Sequence, residues 1–159
     1  MGALRNLIRG KGAHLDPLAA VEDIPWDIAG RRIAPFQHTI WQQLFHQNYW
    51  IAFELKCIEG PEQPVPAEAA ASWPAADGPR DEAAWHLELA TFKSNLAQLE
   101  ALAEARASTL ARIVRAKGEL TVESVLWLLV AHNSYHTGQI VQLRQALGAW
   151  PPARGTTAW

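Results

Sequence analysis

Two histidines stand four residues apart in the run AHNSYHTGQIVQLRQALG, residues 131–148. On a helix, His132 and His136 fall roughly 40° apart in azimuth and about 6 Å apart along the axis. Val125, Leu129, Gln139 and Leu143 lie within about 60° of that line, whereas Trp127 points nearly the opposite way. Both imidazoles therefore belong to an apolar stripe, where polar rings without partners are costly. Metal ligation is the chemistry suited to such a pair, because the rigid helix holds two ring nitrogens at a spacing one ion can bridge. A hydrogen-bonded network of the same rings is the alternative.

A metal held this way needs a further ligand. His14, His38, His46 and His86 remain, besides the carboxylates. His46, in HTIWQQLFHQNYWIAFEL, falls near the middle of a long helix, where facing helices of a bundle approach closely. Its face also carries Thr39, Gln42, Gln43, Trp50 and Phe53, a mixed set, so periodicity ranks it only slightly ahead of His38. His38 lies nearer the helix start, His14 in a loop and His86 early in another helix. These three read as ordinary hydrogen-bonded or exposed histidines.

The elements that must position these side chains are helical; no set of alternating strands stands out. A short amphipathic turn is expected over residues 2–9. A short helix over 15–21 follows, inside a connection broken by Gly10, Gly12, Pro17, Pro25 and Gly30. A long helix is predicted from near Pro35, a residue suited to a first helical position, to about Glu59. The stretch EGPEQPVPAEAAASWPAADGPR cannot be one continuous helix. The next helix opens with Asp81 and Glu82, acids that suit the positive end of the helix dipole, and reaches at least Glu104. Residues 105–119 read as a short helical piece with a turn at Gly118. The last helix starts at Thr121 as its N-cap and stops at Gly148, with Pro151 and Pro152 behind it. The expected fold is an all-α four-helix bundle with long connections and short accessory helices, one domain over residues 1–159.

Composition narrows the function classes. A net charge of -2 gives no electrostatic reason to expect nucleic acid or an anionic membrane as partner. No apolar stretch approaches the roughly 18 residues of a membrane span, and the first residues lack the apolar core of a secretory signal. A single cysteine, Cys57, excludes an internal disulfide framework and suits a reducing compartment. A cytoplasmic protein is expected. Eight tryptophans supply bulky apolar area for packing between helices and leave room for a homodimer contact.

The segments LFHQNYW and HNSYHTGQIVQLRQALGAWPP together resemble the DinB/YfiT superfamily of small metal-binding four-helix bundles. The resemblance extends over nearly the whole chain. Its H-x-x-x-H-x-G-Q-I-x-x-L-R-x-x-L-G pattern is specific, and the match around IWQQLFHQNYW is looser. It implies an up-down-down-up bundle of bacterial type and a divalent metal held by one histidine of the second helix and two of the last. By position these are His46, His132 and His136. Several characterised members of the superfamily use the metal to activate a low-molecular-weight thiol, among them mycothiol-linked isomerases and bacillithiol transferases. The implied activity is thus a metal-dependent thiol S-transferase acting on a small-molecule substrate, with bacillithiol or another low-molecular-weight thiol as co-substrate. A non-enzymatic metal-binding or stress-associated protein is the competing implication.

Three neutral imidazoles leave an ion's double positive charge uncompensated, so a thiol or water reaching it becomes more acidic. An all-nitrogen set does not choose among zinc, nickel, iron and manganese. Cys57 follows His46 by eleven residues, roughly 16 Å along a helix, too far to be the activated thiol. Around the ligands, Gln139 lies one turn beyond His136 and could orient it. Tyr135 and Trp50 are candidates to flank the pocket, against a plain packing role for each.

Overall fold

The computed structural model describes residues 2–61, 63–115 and 118–156. Three long helices dominate: α3 (Ile40–Glu59), α4 (Glu82–Ala103) and α6 (Val122–Ala146). Short helices α1 (Ala3–Ile8), α2 (Trp26–Ala29) and α5 (Ala107–Leu110) accompany them, with one antiparallel pair of strands, β1 (Ile113–Arg115) and β2 (Leu120–Thr121). The architecture is all-α, with α3 packed against both α6 and α4, and α1 against α4 and α6. No helix among the described residues is long and apolar enough to cross a membrane.

Each long helix begins at a side-chain cap. Thr39 accepts from the Gln42 backbone, and Gln42 accepts in return from the Thr39 backbone at 3.1 Å, completing a capping box. That reciprocal pair starts α3 at Ile40 rather than near Pro35. Asp81 caps α4 through the Ala84 N–H, and Thr121 caps α6 through that of Ser124. The last helix ends where expected, with Gly148 in the left-handed region at φ 72°.

Two local expectations fail. Residues 15–21 form a series of turns instead of a helix: Asp16 Oδ1 accepts from the Leu18 N–H at 2.9 Å, and the backbone bonds that follow mix four-residue spans, Ala20 to Asp16, with three-residue spans, Val21 to Leu18. The short helix of this connection falls instead at Trp26–Ala29. The turn at Gly118 closes a small hairpin, β1 with β2, which a strand of two or three residues is too short to announce by alternation.

One cluster of buried apolar side chains runs through the elements, from Leu4 and Ile8 to Ile40, Leu44, Ile51, Phe92, Leu96, Leu126 and Ile140. Trp85 is enclosed in it, and its indole N–H donates to the Ile24 carbonyl at 2.8 Å, so the long connection is tied to α4. Arg144 ties further segments together. Only 2% exposed, its guanidinium donates to Asp23 at 2.7 Å, to the Ala20 carbonyl at 3.0 Å and to the Ala149 carbonyl at 2.9 Å. Asp23 also accepts from the Ala153 N–H at 2.6 Å, which joins α6, the 20s segment and the C-terminal segment in one network. Arg144 holds the Asp23 carboxyl below its ordinary range, against the upward push of burial that is its largest influence.

Removing the charge from this network leaves Asp23 and two carbonyls without their donor. Arg144→Met is expected to lower unfolding stability by about 3 kcal/mol, read from the urea midpoint at constant m-value. A change below about 0.5 kcal/mol would show that solvent replaces the guanidinium without loss.

Candidate metal centre

The site is assembled where the middle of α3 crosses the middle of α6. Capping fixes the rotation of α3, so that Gln43 and His46 face α6 and are both buried. On α6, the one-turn spacing carries His132 and His136 to the same line. His132 Nε2 lies 3.1 Å from His46 Nε2 and 3.1 Å from His136 Nε2. Among the described residues this is the group of three potential ligands whose donor atoms all fall within 4.8 Å of one another.

The donor set fits a cation better than a hydrogen-bond network. His136 Nδ1 lies 2.6 Å from Gln43 Oε1 and 3.0 Å from Gln139 Oε1, so its proton sits on Nδ1 and is shared between two amide oxygens. Its Nε2 is then a lone pair turned inward. His132 Nε2 meets two ring nitrogens but can carry only one proton, so at least one of the two contacts lacks a donor. Two imidazole nitrogens bound to one ion at ~2.0–2.1 Å sit roughly 2.9–3.4 Å apart for angles between octahedral and tetrahedral. The observed 3.1 Å separations lie inside that interval.

Burial keeps the rings neutral. Desolvation, reinforced by the neighbouring His132, pushes His46 down to about 4, while the Ser72 backbone hydrogen bond works in the opposite direction. Desolvation first, then His132 and His46, pushes His136 down to about 3, against its bond to Gln139. His132 is lowered by desolvation as well. Neutral imidazole is the ligating form, so the site is set for metal across the physiological range.

The segment between α3 and α4 folds back as a strap over His46. Its end is pinned to the start of α3: Gln42 Nε2 donates to the Ala76 carbonyl at 3.1 Å and Thr39 Oγ1 to the Asp77 carbonyl at 2.5 Å. Gly30 and Gly78 pass so closely that a Cβ on Gly30 would come 2.7 Å from the Gly78 Cα. The strap lays the Trp73 indole flat between two imidazoles, 3.9 Å from His46 and 3.7 Å from His38, with interplanar angles of 10° and 7°. Desolvation lowers the pKa of His38 and the positive Arg32 lowers it further, so this ring too is neutral.

Each histidine read from the sequence now has a place. His46, His132 and His136 converge. His38, the rival third ligand, stacks on the far face of Trp73. His14 contacts Ser134 on another face of α6, and His86 lies on the surface 3.6 Å from Glu82. Gln139 does touch a ligand ring, through His136 Nδ1. Trp50 meets His46 edge-on at 6.4 Å and, with Glu54, Leu128, Leu129 and His132, lines a cavity of about 370 Å³. Tyr135 is 64% exposed and meets His136 edge-on, with ring centroids 5.0 Å apart. Cys57 is buried beside Arg115 rather than in this group.

Sequence reading misses the roles of Gln43, Trp73 and the Ser72 backbone. Gln43 is visible on the His46 face, but its polarity counts there against a core position; in the fold that polarity serves His136. Trp73 carries no periodic signal, because a proline-rich connection has no face to assign.

A helical fold with a buried three-histidine cluster between two helices fits metal binding. The family model of the DinB superfamily matches residues 16–140, and the chain belongs to that superfamily. No curated protein and no solved structure matches it.

His132→Ala and His136→Ala are each expected to abolish stoichiometric divalent metal binding while helical circular dichroism is unchanged; His46→Ala should do so and His38→Ala should not. Metal content by elemental analysis after equilibration checks all four. Gln43→Leu removes the stronger acceptor of His136 Nδ1 and is expected to weaken metal affinity ~10–100-fold in a chelator competition. For the metal-free protein, His46 and His136 have folded pKa values below the unfolded value, so the unfolded chain binds more protons between about pH 6.5 and 4. Stability is therefore full above the unfolded value and declines as pH falls through that window, with Tm dropping by roughly 5 °C. His46→Leu should flatten that slope.

Proposed function

We propose that this chain is a divalent-metal-dependent enzyme that activates a low-molecular-weight thiol and transfers its sulfur to a small electrophile. His46, His132 and His136 would hold the ion, whose contribution when bound is to acidify a thiol at neutral pH. The observation that carries the reading is the approach to these residues. The cavity beside them reaches the ligand His132, and its other walls are the apolar Trp50, Leu128 and Leu129 with the carboxylate Glu54. Such walls bind the apolar body of an electrophile and exclude water from the reacting sulfur. Gln43 and Gln139 hold the His136 ring in one tautomer, so that its Nε2 remains a lone pair.

The up-down-down-up four-helix bundle of the superfamily is the arrangement we assign to the long helices together with α1. The partner required is a small molecule rather than nucleic acid or a membrane. A non-enzymatic metal-binding role has one observation in its favour: the Trp73 strap covers one side of His46 completely enough to stack on it.

Turnover separates the two. Metal-loaded protein incubated with bacillithiol or glutathione and a panel of alkylating and epoxide electrophiles is expected to consume thiol at least roughly tenfold faster than the metal-free protein. His136→Ala should reduce the rate to that background. Equal rates with and without metal, across zinc, nickel, iron and manganese, would leave the non-enzymatic role standing.

A further inference from the structure

The opposite face of α6 carries a second constellation that the metal centre does not use. Ser134 points roughly 160–200° away from His132 and His136 on the helix. Its Oγ lies 2.8 Å from His14 Nε2, and His14 Nδ1 lies 2.7 Å from the Leu15 carbonyl. A carbonyl only accepts, so Nδ1 of the neutral ring carries the proton and Nε2 offers a lone pair to the serine hydroxyl. This is the order of a serine nucleophile, its base and an orienting acceptor, with a backbone carbonyl in the third position. The hydroxyl has a second acceptor, the Val130 carbonyl at 2.7 Å, from which it turns to reach His14.

The loop that delivers His14 is built for it. Gly10 is left-handed at φ 70°, and a Cβ there would come 2.8 Å from the His14 Nδ1 and 2.6 Å from its carbonyl oxygen. The Gly10 carbonyl accepts from the His14 N–H at 2.9 Å, Asp16 is held by Arg9, and Leu15 and Leu18 are buried in the core. The ring is therefore seated by packing, not left to solvent.

The pair opens on a cavity of about 330 Å³. Leu15, Val141 and Trp150 give it apolar walls, and Gly138 leaves part of the helix surface bare. Thr137, one turn from Ser134, lines the same cavity and is only 2% exposed.

We propose that this cavity is a second, metal-independent active site, in which Ser134 is acylated by small carboxylic esters with an apolar acyl group. Ser134 Oγ attacks the ester carbonyl carbon as its proton passes to His14 Nε2, and the carbonyl electron pair moves onto oxygen. Collapse breaks the ester C–O bond, and the alcohol leaves with the proton from His14. Water then attacks the acyl-serine while His14 takes its proton, and the carboxylic acid departs as Ser134 regains a proton. Ester and water go to acid and alcohol.

A small alkyl fluorophosphonate tests the site, because the attacking serine forms an O–P bond, fluoride leaves, and the adduct is stable enough to map. Metal-loaded wild type is expected to gain one adduct by intact mass, located on Ser134 by peptide mapping, and to hydrolyse p-nitrophenyl acetate. His136→Ala, which lacks the metal ligand, should label at Ser134 as wild type does, so this outcome is independent of the thiol reading. Ser134→Ala should take no adduct and retain its metal. His14→Gln should label about 100-fold more slowly with unchanged circular dichroism. Wild type without an adduct at Ser134, or His14→Gln labelling at the wild-type rate, overturns the proposal and leaves the contact as a structural hydrogen bond.

Discussion

The packing of α3 on α6 forces three imidazole rings into one small, mostly dry space, and much of the structure answers that constraint. Ring nitrogens 3.1 Å apart cannot all be charged, and desolvation together with mutual repulsion keeps them neutral. Neutral rings still need their second nitrogens satisfied. The Gln43 and Gln139 amides serve His136, while the buried Nδ1 of His132 has no hydrogen-bond partner. The polarity of Gln43 and Gln139 is thus explained by the ring they orient, and an apolar residue at position 43 would leave the His136 proton one acceptor fewer.

The same constraint gives meaning to the long connection between α3 and α4. A proline-rich segment cannot offer a helical face, yet it can follow an irregular path across the end of a helix pair. Here it is anchored at its far end by Thr39, Gln42 and Arg32, all of which reach Asp77 or its neighbours, and it delivers Trp73 onto His46. Stacking on both faces of the indole, by His38 and His46, ties a loop residue to the histidine cluster without any direct bond between them. The buried Arg144 plays a corresponding part at the other end of α6, where one guanidinium gathers the 20s segment and the C-terminal segment.

α6 consequently works on two sides. One stripe carries His132 and His136 toward His46, and another carries Ser134 against the loop of His14. The two sites share a rigid helix but no side chain. A helix held from both faces is well suited to present reactive groups at fixed spacing, because each neighbour that packs against it also locks its rotation.

Periodicity and spacing alone are enough to place the three long helices, the acids that open α4, the cap at Thr121, the stop at Gly148, and the shared line of His132 and His136. These depend on residues within a turn or two of one another, whose interactions are local and repeat from protein to protein. Family resemblance, not periodicity, separates His46 from His38. The start of α3 is set by the Thr39–Gln42 capping box, and the turns at 15–21 and the short hairpin are too short and irregular for a pattern of apolar residues to encode. What only the tertiary structure decided is which distant groups meet: Gln43 with His136, Trp73 between two imidazoles, His14 with Ser134. Those contacts join residues 27 to 120 positions apart. They follow from how whole helices and loops pack, and no local spacing in the chain records that.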